Sequence, residues 1–237
     1  MNNDQQGVVC IGKIQVSPLV HGLVLITIWT ILRYLLFGVL GNQLFGLSHN
    51  NMRILPTVEF TLFLLLVFFI GSLGIVYWGL IKLGHVSLKR LGWTSHHLSQ
   101  SVVLALVGTL VGMAALGWLY QTGELTDIQI SLTPAFDVRK ILLAALMGFP
   151  IAAWIEQSLL PGYIQPMLIE KWGYWPGIIV QAALWPAFHI GWFTTWQDFL
   201  SSFLFGLIFG LLRGRKRSLI AGALVHGLNW ILIGIVA

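Results

Sequence analysis

Apolar runs recur along the chain with short polar or basic connections between them: Pro18–Leu40, Thr57–Ile81, Gln100–Gln121, Val138–Lys171, Pro176–Phe193, Phe199–Leu212 and Ser218–Val236. About 20 apolar residues in helical conformation cross a bilayer, so the pattern predicts about seven spans. The fourth run exceeds what one crossing needs, whereas the sixth is short and open to a partly re-entrant reading. A membrane barrel would need short segments of alternating polarity. These runs are instead continuous and rich in Leu, Ile, Val and Gly. The expected fold class is therefore all-α, a polytopic transmembrane helical bundle. No internal repeat, low-complexity tract or long linker divides it, so residues 1–237 read as a single membrane domain.

Composition narrows the class further. With 57% hydrophobic and 9% charged residues and a mean hydropathy of +0.85, a soluble globule is excluded. The net charge of +5 would suggest nucleic acid in a soluble chain. Here the Lys and Arg residues gather in connections between spans, where they orient a membrane protein, and a nucleic-acid role has no support. With seven crossings, one side carries Lys13, Lys82, Lys89, Arg90, Lys171, Arg213, Arg215, Lys216 and Arg217; the other carries Arg53, Arg139 and Lys140. This asymmetry predicts a cytoplasmic N-terminus and an extracytoplasmic C-terminus. Cys10 is the only cysteine, which rules out an intrachain disulfide or a Cys-rich metal site. The polar stretch Met1–Ser17 lacks the apolar core of a cleaved signal, so the first span is expected to direct insertion.

Smaller features carry less weight. Gly84–Ser99 suits an interfacial segment at the headgroups or an ordinary loop. Gly108-x-x-x-Gly112 and Gly206-x-x-x-Gly210 would let helix backbones approach closely. Arg33 and Glu59 flank spans and are expected to snorkel or to pair with each other, while His21, His49 and His85 read as peripheral.

Three ionisable residues lie inside separate apolar runs: Glu156, His189 and His226. Charge in hydrocarbon is costly, so such residues usually face a protein interior and mark a site. At 1.5 Å per residue, Glu156 lies roughly 22 Å from Lys171, His189 about 20 Å from Pro176 and His226 about 14 Å from Arg217. Similar depth predicts that the three meet. Singly, each has a bland alternative in an interhelical hydrogen bond. Together they would suit a water activated by a carboxylate and an imidazole, or a divalent metal such as zinc held with one open position. Trp185 and Phe188 precede His189 at positions that would wall a pocket, and Asn229 shares a helix face with His226. The helix motif H-E-x-x-H and a nucleophile-elbow serine are both absent.

These residues resemble the CAAX-protease and bacteriocin-processing (CPBP, or Abi) family of intramembrane proteases over a core of residues 138–236. The family's E-E-x-x-x-R-G motif corresponds to Glu156-Gln157-Ser158-Leu159-Leu160-Pro161-Gly162, followed by a basic turn at Lys171-Trp172-Gly173. Its F-x-x-x-H motif corresponds to Trp185 through His189. Its H-x-x-x-N motif corresponds to His226 through Trp230, with Asn229 one position early. The resemblance implies that Glu156 and His189 activate water for peptide-bond hydrolysis and that His226 completes the site as oxyanion donor or metal ligand, with Gln157, Trp185 and Asn229 in support. It implies a peptide or lipidated-protein substrate and contact with membrane lipid. It leaves the cofactor open, a divalent metal or none. Gln157 and Pro161 replace a Glu and an Arg four apart, the spacing of a helical ion pair. Losing both strands no charge, and a catalytically impaired homologue acting as a membrane binding or regulatory scaffold is the alternative. A transporter would need a polar path across the whole membrane, whereas the polar residues here gather at one depth.

Overall fold

A computed structural model describes residues 9–11, 14–45, 58–96, 98–122, 138–146, 148–149, 153–189, 196–216 and 218–236. Lys13, Arg53 and Arg217 from the charge asymmetry, and His49, lie outside these residues. Among the described residues the regular structure is helical apart from one short antiparallel hairpin, β1 (Val9–Ile11) and β2 (Ile14–Val16).

Helix α1 (Pro18–Arg33) starts sharply. The Ser17 hydroxyl accepts from the Val20 N–H, and Pro18 fills the first helical position, where no N–H is needed. The helix runs on as a π-helical stretch, Tyr34–Gly41, into α2 (Asn42–Phe45). Helix α3 (Val58–Gly71) likewise continues as a π-helical stretch, Ser72–Leu83. Next come the single turn α4 (Leu88–Leu91) and α5 (Leu98–Thr122). The C-terminal part comprises α6 (Val138–Leu146), α7 (Ala153–Gln157), α8 (Gln165–Trp172), α9 (Tyr174–Phe188), α10 (Trp196–Lys216) and α11 (Ile220–Val236). A π-helical segment, Ser158–Ile164, joins α7 to α8.

Three of the seven expected spans are helices long and apolar enough to cross a bilayer among the described residues: Pro18–Phe45, Leu65–Leu83 and Leu98–Leu119. Their outward faces are apolar. Leu62, Phe69, Val103 and Leu110 are all at least 60% exposed, which suits lipid and not water. The sixth run proves longer than hydropathy suggested. Helix α10 has 21 residues, about 31 Å at helical rise, because Gln197 and Asp198 before the run and Arg213 to Lys216 after it are helical although too polar to count as apolar. Its Ser201 hydroxyl donates back to the Asp198 carbonyl.

Helices α8 and α9 fold back on each other through Gly173, whose φ of +89° is a backbone state that L side chains rarely adopt. Helix α10 then packs along α9 at Gly206 and Gly210. A Cβ on Gly206 would lie 2.9 Å from the Ala182 backbone, and one on Gly210 would lie 2.7 Å from Gln181 Oε1. The small-residue spacing seen in the sequence thus marks a close helix approach. One apolar core draws on both halves of the chain, with Trp29, Phe68, Val76 and Leu80 packed with Ile155, Leu160, Ile164 and Val225. Parts of the Gly84–Ser99 segment contact this core, while Leu88, Lys89 and Arg90 are exposed. Leu91 is fully buried, Trp93 Nε1 donates to Ser158 Oγ at 2.8 Å, and the Leu219 N–H donates to the Gly92 carbonyl.

Candidate active site

Glu156 sits in the last turn of α7, and the helix does not stop at Pro161. Proline lacks an N–H and crowds the carbonyl four residues back. The backbone accommodates it by widening into the π-helical segment, so the chain stays helical from Ala153 to Trp172. Gly162 follows because the wider turn brings backbone close. A Cβ there would lie 2.9 Å from the Gln157 carbonyl oxygen and 3.0 Å from that of Leu91.

His189 is placed differently from the sequence expectation, which had it within a helix running to Phe193. Helix α9 ends at Phe188, and His189 is its C-cap, with φ −104° and ψ 11°. Its N–H donates to the Pro186 carbonyl, and Gly191, a residue type common where helices stop, follows two positions on in the sequence. The ring Nδ1 lies 2.9 Å from the Trp185 carbonyl oxygen. A carbonyl only accepts, so Nδ1 carries a proton and Nε2 of the neutral ring presents a lone pair.

The three predicted residues come together. His189 Nε2 is 3.6 Å from Glu156 Oε1, and His226 Nε2 is 3.7 Å from Glu156 Oε2. Both distances are too long for hydrogen bonds. Opposite Glu156 Oε1 the His189 lone pair sets acceptor against acceptor, an arrangement suited to a shared O–H donor between them. Glu156 is 3% exposed, and the His189 side chain, at 18%, is the more open group.

Two aromatic rings hold the imidazoles. Trp185 stacks on His189 at 6.2 Å between ring centroids and lies 6.0 Å from His226, while Phe209 of α10 stacks on His226 at 5.5 Å. Trp185 and Phe209 are themselves 4.6 Å apart, so three helices share one buried wall. Several polar atoms around it are buried without a hydrogen-bond partner among the described residues: Glu156 Oε2, His226 Nδ1 and both amide atoms of Asn229. Other buried side chains, among them Gln157, Gln181 and Thr109, share this state, so it does not single out the site. Gln157 points elsewhere. It is fully buried against α11, where a Cβ on Gly222 would come within 2.6 Å of its Oε1.

Sequence reasoning missed two contributors. Arg33 neither snorkels nor pairs with Glu59, which is exposed. It is buried, with Nη1 3.7 Å from Glu156 Oε1. The available signal was that an ionisable residue within an apolar helix is a site candidate by default. Phe209 carried no signal, since an aromatic in an apolar helix is ordinary. His21 is also not peripheral: its Nδ1 is 3.0 Å from the Tyr163 hydroxyl, and the ring is buried. His85 is exposed.

Among the described residues no group of three or more His, Cys, Asp or Glu side chains is arranged to hold a metal ion. The two imidazoles face different carboxylate oxygens, and a guanidinium already lies against one of them. A divalent cation would meet like charge there.

Residues 138–232 match the family model described as type II CAAX prenyl endopeptidase Rce1-like. No curated protein and no solved structure matches the chain. The matched segment holds Glu156, His189 and His226 together, and a protease family implies a peptide or protein substrate. From Val138 to Leu232 this membrane protein carries an Rce1-like domain of the CPBP/CAAX-protease family.

Proposed function

We propose that the protein is an intramembrane endopeptidase in which Glu156 and His189 activate a water to cleave a peptide bond in a lipidated or prenylated substrate. The observation that carries this reading is the approach of Glu156 Oε1 to within 3.6 Å of His189 Nε2, with Trp185 stacked on His189 and Phe209 on His226. A water bridging these acceptors gives one proton to the carboxylate, and its oxygen attacks the scissile carbonyl carbon. His226 Nε2, at 3.7 Å from Oε2, is not committed to a hydrogen bond there, so as an N–H it is available to the developing oxyanion, with the Asn229 amide one turn away. Collapse of the tetrahedral intermediate breaks the C–N bond. The proton held by Glu156 passes to the leaving amine.

The whole chain, residues 1–237, acts in this reading as a single membrane domain, with its N-terminus cytoplasmic, its C-terminus extracytoplasmic and lipid around it. The nine-to-three distribution of Lys and Arg supports that orientation, and cysteine labelling from either side tests it. The scaffold alternative draws on Gln157, Pro161 and Trp230, where the family pattern is altered. Purified protein incubated with an S-farnesylated CAAX-type peptide decides between them. Wild type should release the C-terminal tripeptide, and Glu156→Gln should lose at least about 100-fold in kcat. A wild-type rate equal to that of Glu156→Gln would leave the scaffold reading.

A further inference from the structure

We propose that Arg33, in the first membrane helix and outside the Rce1-like segment, is a positioning residue for Glu156. Three observations lead there. Arg33 is 2% exposed, so its charge, which proteins cannot remove by deprotonation, is held away from water and requires compensation. Its Nη1 lies 3.7 Å from Glu156 Oε1, the oxygen that also faces His189. And α1 is docked against the helix that carries Glu156. His21 bonds the Tyr163 hydroxyl, a Cβ on Gly22 would lie 2.8 Å from Ile164, and Trp29 shares the space above Gly71 with Ile155.

The two helices run antiparallel, with residues 21 and 22 beside 163 and 164, and 33 beside 156. That register brings the guanidinium to the carboxylate. The cation beside Glu156 comes from a part of the chain that the family match does not include. Arg33 acts through Glu156: it holds the carboxylate between the imidazoles and itself makes no bond and moves no proton. This catalytic consequence rests on the hydrolase reading, but the pairing does not, and the two are tested separately.

Pairing is read by thermal unfolding of the full-length protein in detergent. Arg33→Met should lower the midpoint by about 6 to 20 °C, as expected when one partner of a buried pair is stranded. Adding Glu156→Gln should restore most of the loss. If Arg33→Met cannot be purified folded, recovery of folded protein in the double variant supports the pair, and failure of both overturns it. Additive losses also overturn it. The catalytic consequence is read with the farnesylated peptide. Arg33→Lys, which keeps charge but not the planar fork, should lower kcat by about tenfold with KM within about twofold, and Arg33→Gln by about 100-fold. Wild-type kcat in Arg33→Gln, or a loss confined to KM, would refute positioning. An inactive wild type with a non-additive unfolding cycle would reject the hydrolase reading and keep the pair.

Discussion

Replacing Gly206 with alanine tests whether the α9–α10 contact sets the geometry of the site. The added Cβ would lie 2.9 Å from the Ala182 Cα, the Ala182 carbonyl oxygen and the Trp185 Cβ. None of these is the end of a flexible side chain, so the helices must separate by about 0.5 Å to restore ordinary contact at 3.4 Å. Overpacking of this kind costs about 1–3 kcal/mol, offset by about 0.5–1 kcal/mol because alanine favours a helix interior over glycine. The net change runs from about zero to a loss of about 2.5 kcal/mol, which lowers the unfolding midpoint by up to about 10 °C. The displacement also reaches the chemistry. Trp185 stacks on His189 from one helix and Phe209 on His226 from the other, so whichever helix yields, one imidazole moves by about the 0.5 Å tolerance of a catalytic constellation. kcat should fall by about tenfold. Gly117→Ala is the control. Nothing lies within 4 Å of its Cβ, so it should gain up to about 1 kcal/mol and keep its activity. Detergent melting curves and the peptide assay read both variants, and a Gly206→Ala protein as stable and as active as Gly117→Ala would refute the reasoning.

The remaining predictions concern the altered motif and the aromatic wall. Gln157→Glu alone would place an unpaired carboxylate in a fully buried position against Gly222 and should cost several kcal/mol, about 3–5. With Pro161→Arg added, the midpoint should recover and activity should equal or exceed wild type; a double variant less stable than the single would show that the i, i+4 pair does not form. Phe209→Leu should cost about 1–2 kcal/mol of packing and ring stacking and lower kcat more than KM, because the His226 ring loses its stacked partner. Unchanged kcat with a lowered midpoint would confine Phe209 to a structural role.

Legibility in the sequence followed the physics of each signal. Apolar runs announced helices because a bilayer leaves the backbone few other ways to satisfy its polar groups. The depth arithmetic for Glu156 worked because Ala153–Trp172 stays helical through Pro161. A proline usually argues for a break, and a widened π-helical turn is not visible in composition. Hydropathy failed at α10 for the opposite reason: its first turn is polar yet helical. Arg33 was misread because its partner lies 123 positions away, and spacing rules see only neighbours on one helix. Phe209 is indistinguishable from a core aromatic until the histidine stacked on it is located, whereas Trp185 could be singled out from its place four residues before His189. The same limit bears on the family pattern. Gln157 and Pro161 look like the loss of a charge pair when the motif is read alone, but the fold supplies a cation to Glu156 from α1. A motif missing its own arginine can thus keep a guanidinium at its carboxylate, because a buried charge constrains the surroundings it requires and not the segment that provides them.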